Sequence, residues 1–201
     1  MLRVVTPDDG SGVIDLVVAA GMFTRDEAPY LSEVVLGPHH DGTTCLVEDA
    51  DDGKGLASVL LYRPEEAADR AFDLTMIAVR PDLQGGGRGA ALMHHAEEDL
   101  RRRGQRLMVV RTSGTPRYDL TRSFYRGLGY TEHTRVPDYW ADGDDLVLFT
   151  IRLLLLGDAG NSDRRDSGPP QTSHRLTRLR APGPTTSHRE RGRADMTGVT
   201  P

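Results

Sequence analysis

The alternation of apolar and polar positions divides the first 156 residues into short strands and helices. Largely apolar runs at 72–79 and 107–112 are typical of strands buried on both faces. Between them a helix is predicted up to about residue 103, because Leu92, Ala96 and Leu100 recur at helical spacing. Further strands are predicted at 2–5, 43–48, 56–62, 130–136 and 146–152, and further helices at 11–20, 24–36 and 118–128. The order β-α-α-β-β-β-α-β-α-β-β predicts an α/β fold with a mixed sheet, not a doubly wound alternation of strands and helices.

Turn signals define several of these boundaries. Thr24 and Glu27 have the spacing of a capping box, which predicts the start of a helix that Gly37-Pro38 would close. The Asp- and Gly-rich segment 49–55 predicts a turn, so the strands on either side of it are expected to form a hairpin. Residues 137–145, with acids at 138, 142, 144 and 145, are predicted to form a loop before the last strand.

The composition changes at Gly157. From there to Pro201 the chain is rich in Gly, Pro, Ser, Thr and Arg and contains no aromatic residue. Such a segment cannot bury enough apolar surface to offset its ordering entropy, so we expect one domain over 1–156 and a disordered tail over 157–201. The tail carries eight arginines against five acids, net +3, so it could touch nucleic acid or the acidic domain, although a solvated extension is the simpler interpretation.

Charge and cysteine content narrow the functional class of the domain. It carries 17 basic and 25 acidic residues, net −8, without a basic stripe, which argues against nucleic-acid binding. The single cysteine, Cys45, cannot form an intramolecular disulfide, and neither the N-terminal sequence nor the apolar run at 153–156 suits a signal peptide or a membrane span. A cytoplasmic protein is therefore expected, and one lysine beside 24 arginines suggests a bacterial, GC-rich genome. His94 and His95 are adjacent on a helix and do not share a face, so no metal site is expected.

The segment from Arg80 to Ala90 places four glycines between a predicted strand and a predicted helix. A bare backbone can approach a ligand closely, and its N–H groups can converge with those of the helix N-terminus on an anion. A dinucleotide site would need a tight strand-to-helix turn and a carboxylate after the next strand, and neither is present. A P-loop would need Gly-Lys-Ser/Thr where Arg88-Gly89-Ala90 stands. A glycine-rich turn without any ligand is a further interpretation.

Two stretches resemble the GNAT superfamily of acyl-CoA N-acyltransferases. Gln84-Gly85-Gly86-Gly87-Arg88-Gly89 is similar to the family's Q/R-x-x-G-x-G/A signature, and 77–81 is similar to the strand and exit before it. The run 123–130 resembles the family's Phe/Leu-Tyr-x-x-x-Gly-Phe/Tyr pattern, and 112–146 resembles a set of bacterial members. The resemblance covers residues 1 to about 153 in topology. It implies the GNAT fold, in which two central parallel strands splay apart and the cofactor enters the gap.

The resemblance also implies that the glycine segment holds the pyrophosphate of coenzyme A. The implied cofactor contacts are Ile77, Ala78, Val79, Gln84, Gly85, Gly86, Gly87, Arg88, Gly89 and Ala90. Many members carry an Asn seven residues before the tyrosine of the second stretch, where it helps to hold the pantetheine arm. Tyr118 stands at that position here, so this contact is not implied.

Acyl transfer to an amine places chemical demands on the site. The tetrahedral oxyanion needs a donor, for which a backbone N–H near Val79 is suitable in a strand that splays from its neighbour. The departing thiolate needs a proton, and Tyr125 matches the position of the family's usual general acid. The other interpretation of Tyr125 is a core aromatic residue whose hydroxyl is satisfied by a backbone group.

The base that would deprotonate the amine has two candidates. Asp73 matches the position of a catalytic Glu in histone-acetylating members, and its shorter side chain would need a water relay. Strand alternation places Asp73 on one face with Thr75, Ile77 and Val79. An ion pair at the strand edge is an equally good interpretation of Asp73, and Glu48 is the second candidate base.

The sequence therefore predicts an N-acetyltransferase that moves an acetyl or other acyl group from acetyl-CoA to an amine of a small molecule or protein. Its expected partners are acetyl-CoA and an amine acceptor, with a homodimer as one assembly it could form. The alternatives are a non-catalytic acyl-CoA-binding sensor and a nucleotide-linked oxidoreductase. The glycine segment serves an enzyme and a sensor equally, so the difference between them depends on Tyr125 and a base.

Overall fold

The computed structural model describes residues 1–27 and 42–153 of the chain. Within these ranges seven strands form one mixed sheet in the order β1-β2-β3-β4-β5-β7-β6. The strands are β1 (Leu2–Val4), β2 (Thr44–Asp49), β3 (Leu56–Pro64), β4 (Ala71–Val79), β5 (Leu107–Ser113), β6 (Thr131–Ala141) and β7 (Asp144–Arg152). The helices are α1 (Gly10–Ala19), α2 (Arg88–Arg102) and α3 (Asp119–Gly127). The predicted fold class and element order are confirmed over the described residues.

The only parallel pair among the described strands is β4 with β5, which α2 connects. Their pairing is short, running from Ala71 opposite Leu107 to Leu74 opposite Val110. Beyond Leu74, β4 continues on its β3 side alone, and β5 continues on its β7 side alone. The two central strands therefore separate towards their carboxyl ends and leave a gap in the middle of the sheet.

A bulge at Thr75 interrupts the alternation of β4. Tyr62 of β3 lies opposite Leu74 and the preceding Leu61 lies opposite Met76, so Thr75 is an extra residue on β4. An extra residue moves every following side chain to the other face of the strand. The prediction that Asp73, Thr75, Ile77 and Val79 share one face is wrong for this reason.

Two apolar cores lie on the two faces of the sheet. The larger core lies between the sheet and the helices α2 and α3, and the smaller core lies under α1. On β4 the larger core takes Phe72, Leu74, Ile77 and Val79, and the smaller core takes Met76 and Ala78. Every residue of β4 is buried, as its apolar sequence predicted. The central strand is thus held rigidly from both faces, which fixes the position of the gap.

The predicted loop 137–145 is wrong. Strand β6 continues to Ala141 and β7 already begins at Asp144, so the two strands form a long hairpin. The register shifts between Val136 and Ala141, where Asp138 adopts a φ of 51°. The Asp138 carboxylate accepts a hydrogen bond from Gly143 N–H at 2.7 Å, so this acid shapes the turn. The sequence predicted a loop because the segment contains Pro and several Asp residues. Its irregular strand pairing also produces no regular alternation of apolar and polar positions.

The predicted helix 24–36 is described only at its start, and the predicted tail is not described. The Glu27 carboxylate accepts a hydrogen bond from Thr24 N–H at 2.7 Å, as the predicted capping box requires. The rest of the predicted helix to Leu36, and the predicted disordered tail 157–201, lie outside the described residues. In the described part of the chain, none of the helices is long and apolar enough to cross a membrane.

Candidate functional site

The glycine segment forms a tight loop between β4 and α2. After Val79 the chain makes a 3₁₀ turn at Pro81–Leu83, and α2 begins at Arg88. Gly85 and Gly87 have φ of 76° and 80°, a left-handed conformation that favours glycine. Gly86 has no such φ, and a Cβ added there would meet open space. Nothing in the described chain requires glycine at 86, so close approach of an external group is the best reason for it.

The N-terminus of α2 opens onto this loop. Its N-cap residue is Gly87, which provides no side-chain hydrogen bond to the first turn. The first N–H groups of a helix have no partner within the helix, and they carry about half a positive charge together. An exposed loop of glycines ahead of such a terminus is suited to bind a phosphate group.

Gly89 has a different function from the exposed glycines. A Cβ added at Gly89 would lie 3.4 Å from the ring of Phe124 on α3. Glycine at this position therefore lets α3 contact the first turn of α2 closely. A larger residue at 89 would disturb this helix contact before it met any ligand. Gly87, whose added Cβ meets open space, is therefore the cleaner position at which to test ligand approach.

The polar side chains of the loop already have protein partners. Gln84 donates from its side-chain amide to the carbonyl oxygen of Val79 at 3.0 Å. Arg88 forms an ion pair with Glu48 at 2.6 Å, and the Ser58 hydroxyl donates to the same carboxylate at 3.0 Å. Although burial opposes it, these hydrogen bonds hold the pKa of the Glu48 carboxyl below its ordinary value. A carboxylate held in this way is a weak base, which makes Glu48 the poorer of the two candidate bases.

A cavity of about 360 Å³ borders the loop on the side of β1 and β2. Its lining combines the bare backbone of the loop with the Arg88–Glu48 ion pair and a few apolar side chains. The lining residues are Leu2, Glu48, Leu83, Gly86, Gly87, Arg88, Ala91 and Leu92.

The edge of β4 beyond Leu74 faces the gap in the sheet. Arg80 N–H donates to the Ala57 carbonyl of β3 at 2.9 Å. Because the N–H and C=O of one strand residue lie on the same edge and successive residues alternate, Ile77 and Val79 direct theirs away from β3. That edge has no strand opposite it, since the pairing with β5 ends at Leu74. The backbone N–H of Val79 therefore points to the edge of β4 that faces the gap, and its role in binding stays a prediction.

Tyr125 lies on α3 and is fully buried. Its ring centroid is 5.6 Å from those of Tyr130 and Phe149 and 5.4 Å from that of Phe124. Phe124 in turn borders Gly89, so the helix that carries Tyr125 contacts the first turn of α2. The burial agrees with a core aromatic residue and the location agrees with a residue near the cofactor loop. Its role as general acid stays a prediction.

Asp73 lies on the paired part of β4, opposite Val109 of β5. It is 6% exposed and forms an ion pair with Arg111, the first residue of β5 beyond the paired segment. Arg111 also pairs with Glu65, and the Thr75 hydroxyl donates to Asp73 at 3.2 Å. Burial raises the pKa of the Asp73 carboxyl above its ordinary value, and the nearby Arg111 opposes that rise. The ion pair that the sequence left as an alternative is present, and the role of Asp73 as a base stays a prediction.

Sequence reasoning missed Arg111 and Glu65. Arg111 is 38 residues from Asp73 and 46 from Glu65, and the pairings of β4 with β5 and with β3 bring the three together. An arginine inside an otherwise apolar strand was the one available signal, because a charged residue there needs a partner.

The β6–β7 hairpin lies beside β5, on the edge of β5 away from β4. The Ser113 hydroxyl donates to Asp144 at 2.6 Å, and Gly114 N–H donates to the Asp145 carbonyl at 2.7 Å. A Cβ at Gly114 would lie 2.9 Å from Cβ of Asp145, so only glycine allows this close approach. The acids of the hairpin therefore fasten it to the end of β5.

Both the sequence and the fold of this chain are similar to those of known acetyltransferases. Residues 40–132 match the acetyltransferase (GNAT) domain family. A protein from Desulfovibrio desulfuricans assigned to the GNAT family of acetyltransferases is similar, with a TM-score of 0.70 and 30% identity over 77% of this chain and 99% of that one. The ribosomal-protein-S18-alanine N-acetyltransferase from Escherichia coli shares the fold at a TM-score of 0.63 and 18% identity, over 79% and 97% of the two chains. An aminoglycoside 6′-N-acetyltransferase complexed with coenzyme A also shares the fold. Its TM-score is 0.61 and its identity 14%, over 77% of this chain and 97% of that one. None of the curated proteins matches the sequence.

Proposed function

Because the chain belongs to the GNAT family of acetyltransferases, we propose that it transfers the acetyl group of acetyl-CoA to an amine of a small molecule or protein. The observation that carries the proposal is the glycine loop at the N-terminus of α2, placed directly beside the gap between β4 and β5. The glycine loop is thus suited to bind phosphate, and the adjacent edge of β4 has backbone groups that face the gap.

The residues present fit coenzyme A. The loop backbone at 85–87 and the first turn of α2 would bind the pyrophosphate, since both expose N–H groups without an acid between them. Arg88 adds a cation beside the loop, although Glu48 holds it. The edge of β4 at Ile77 and Val79 would bind the amides of the pantetheine arm in the manner of an added strand. Gln84 and Ala90 flank this site, and Gly89 keeps α3 close to it.

The reaction forms a C–N bond and breaks the C–S bond of the thioester. The amine must be neutral when it attacks, and it loses a proton as the thiolate leaves and gains one. A backbone N–H on this edge of β4 that the pantetheine arm leaves unpaired is suited to stabilise the oxyanion, because it is fixed on a buried strand and needs no reorganisation. We propose that Tyr125 donates the proton that the departing thiolate gains. The basis is its family position and the contact of its helix with α2.

For the proton of the amine we keep Asp73 as the candidate. Its burial supports the assignment, because a raised pKa makes the carboxylate a better base near neutral pH. Phe72 and Leu74 take the α2 face, so Asp73 between them takes the opposite one, which also supports the assignment. An amine that approaches from that face would reach the thioester through the gap. The ion pair with Arg111 works against the assignment, which is why it needs a direct test.

The test is release of free thiol from acetyl-CoA in the presence of a panel of amines. Small monoamines, polyamines, an aminoglycoside and a peptide with a free N-terminus cover the proposed acceptor classes. Turnover with any of them, together with an acetylated product of matching mass, supports the proposal. Binding of acetyl-CoA without turnover on any amine would favour the sensor, for which no feature of the described residues speaks at present. A thermal shift with NAD and none with coenzyme A would overturn both.

A further inference from the structure

Arg80 joins the glycine loop to a distant turn of the chain. It follows β4 and precedes the 3₁₀ turn at Pro81–Leu83. Its guanidinium donates to both oxygens of Asp52, at 2.7 and 3.1 Å, and to both oxygens of Asp82, at 2.7 and 3.0 Å. It also donates to the Lys54 carbonyl at 3.1 Å, and its side chain is only 15% exposed. Every nitrogen of the guanidinium is therefore occupied.

Asp52 lies on the turn between β2 and β3, which is itself well fixed. Asp52 accepts a hydrogen bond from Lys54 N–H at 2.9 Å, and Ala50 N–H donates to the Gly55 carbonyl at 2.9 Å. A bidentate carboxylate on a fixed turn gives an arginine both direction and distance, because the two planar groups match. The turn between β2 and β3 is thus a rigid support for Arg80.

The loop has little other support. Cβ atoms added at Gly85, Gly86 or Gly87 would all meet open space, so within residues 1–27 and 42–153 no segment packs against the Cβ side of these glycines. Glycine also has the largest conformational freedom of any residue. The shape of the loop must therefore be set at its ends, by Gln84 on Val79, by Arg88 on Glu48 and by Arg80 on Asp52.

We propose that Asp52 is a positioning residue for the coenzyme A loop, which it holds in its anion-binding shape through Arg80. The inference rests on the proposed coenzyme A site and deepens it, because it assigns a role in cofactor affinity to a residue on a different hairpin. The effect is one of preorganisation: if the loop adopts the competent shape only part of the time, the apparent Kd rises by the inverse of that fraction.

The competing interpretation is that Arg80 itself binds a phosphate of the cofactor. The two interpretations predict opposite signs for one substitution. If Arg80 were a phosphate ligand, Asp52→Asn would release it from a competing carboxylate and tighten binding. If Asp52 positions the loop, the same substitution weakens binding. Loss of a negative charge near an anion site also favours binding in general, so a weakened affinity cannot come from simple electrostatics.

The chain offers a matched control next to Asp52. Asp51 is exposed on the same turn and has no hydrogen bond or ion pair in the described structure. Asp51→Asn removes the same charge at nearly the same place and leaves Arg80 held. We expect the Kd for coenzyme A, measured by titration calorimetry on the full chain, to rise about tenfold for Asp52→Asn and to stay within about twofold for Asp51→Asn.

A double-mutant cycle identifies the route. Arg80→Gln should weaken coenzyme A binding to a similar extent, and Asp52→Asn should add nothing in that background. The ratio of Kd values between Asp52→Asn and the wild type should shrink in 0.5 M salt, because salt screens a partly exposed ion pair. In turnover, Asp52→Asn should raise the KM for acetyl-CoA and leave kcat unchanged, whereas general destabilisation would not separate the two.

The outcomes separate the inference from the function on which it rests. Wild-type protein that does not bind coenzyme A would overturn the proposed site and this inference together. Wild-type binding with equal Kd values for Asp52→Asn and Asp51→Asn would overturn the inference alone. Tighter binding by Asp52→Asn would instead show that Arg80 is a phosphate ligand. Should Asp52→Asn be poorly folded, Asp82→Asn removes the other partner of Arg80, and a smaller loss of affinity is expected from it.

Discussion

The side-chain amide of Gln84 lies 3.0 Å from the carbonyl oxygen of Val79, and this hydrogen bond joins the two halves of the proposed site. Gln84 opens the glycine loop that would hold the pyrophosphate. Val79 ends the strand whose N–H would face the oxyanion. Because one side chain joins the two segments, a cofactor bound in the proposed site would have the positions of its phosphates and of its thioester set relative to each other.

Replacement of Gly87 should remove coenzyme A binding. In wild-type protein, ligand at about 100 times its Kd should add roughly 2.7 kcal/mol to the free energy of unfolding. Gly87→Val places a side chain at the exposed N-cap of α2, where the phosphate would lie, and forces a left-handed φ on a β-branched residue. The expected result is loss of the thermal shift that coenzyme A produces.

The control for Gly87 lies at the other end of the same helix. Gly104 has a φ of 70°, and a Cβ added there also meets open space. Gly104→Val should therefore lower the melting temperature through the same backbone strain and retain the full coenzyme A shift. Loss of the shift in both variants would mean that strain in α2, and not blocked access, caused the effect.

Tyr125→Phe should separate the chemical from the structural role of this buried residue. If Tyr125 protonates the thiolate, turnover should fall by about 10²–10⁴ while coenzyme A affinity and melting temperature change little. If it is only a core residue, stability should fall by about 1–3 kcal/mol with turnover intact. The measurement pairs thermal melting with single-turnover thiol release.

Tyr130→Phe is the matched control for Tyr125→Phe. Tyr130 contacts the ring of Tyr125, and its hydroxyl donates to the buried carboxylate of Glu97 at 3.1 Å. Removal of this hydroxyl should lower stability by roughly 1–3 kcal/mol, because Glu97 loses a partner, and should leave turnover unchanged. A loss of turnover as large as that of Tyr125→Phe would point to a general disturbance of α3.

Local features of this chain could be predicted from the sequence, and pairings between distant segments could not. The glycine loop, its strand and its helix form one continuous stretch from Ala71 to Arg102, so spacing and turn chemistry were enough. The bulge at Thr75 has no signal in the sequence, because threonine is an ordinary strand residue. One inserted residue then changed which face Asp73 shares with Ile77 and Val79.

The partners of the charged residues were hidden for a related reason. Arg111 pairs with Asp73, and Arg80 pairs with Asp52, only because strands far apart in sequence lie side by side. The hairpin after Val136 was misjudged because its acids accept hydrogen bonds from nearby backbone and side-chain groups. Composition alone cannot distinguish such an acid from one in a solvated loop.

Removal of residues 157–201 should leave the domain intact. The last described strand ends at Arg152, and Leu153 N–H donates to the Arg106 carbonyl at 2.9 Å, which continues the pairing of β7 with β5 by one residue. A chain that ends after Leu156 should retain the melting temperature and the coenzyme A affinity of the full chain. A lower melting temperature, or a changed KM for the acceptor, would show that the tail belongs to the domain or to its site.

Asp73→Asn should reduce turnover by about 10²–10⁴ if its carboxylate takes the proton of the amine. The pH profile gives a more specific test. Burial raises the pKa of Asp73 above its ordinary value of 3.8, and a protonated carboxyl cannot accept a proton. The value of kcat/KM for wild-type protein should therefore fall as the pH drops below this raised pKa. Asp73→Asn should lack the part of that decline that Asp73 causes, since its side chain does not titrate.

Arg111→Gln tests the same proton transfer by removing the positive partner of Asp73 and keeping its carboxylate. Arg111 opposes the rise in the pKa of Asp73, so its removal should raise that pKa further and move the acid limb of kcat/KM to higher pH. The acceptor's own protonation contributes the same limb to every variant, so the ratio of each variant to wild type isolates Asp73. If Asp73 serves only as a partner of Arg111, both substitutions should lower the melting temperature through a broken buried pair, and neither should move the limb. That result would remove Asp73 from the mechanism and leave the base to a water molecule or to the acceptor itself.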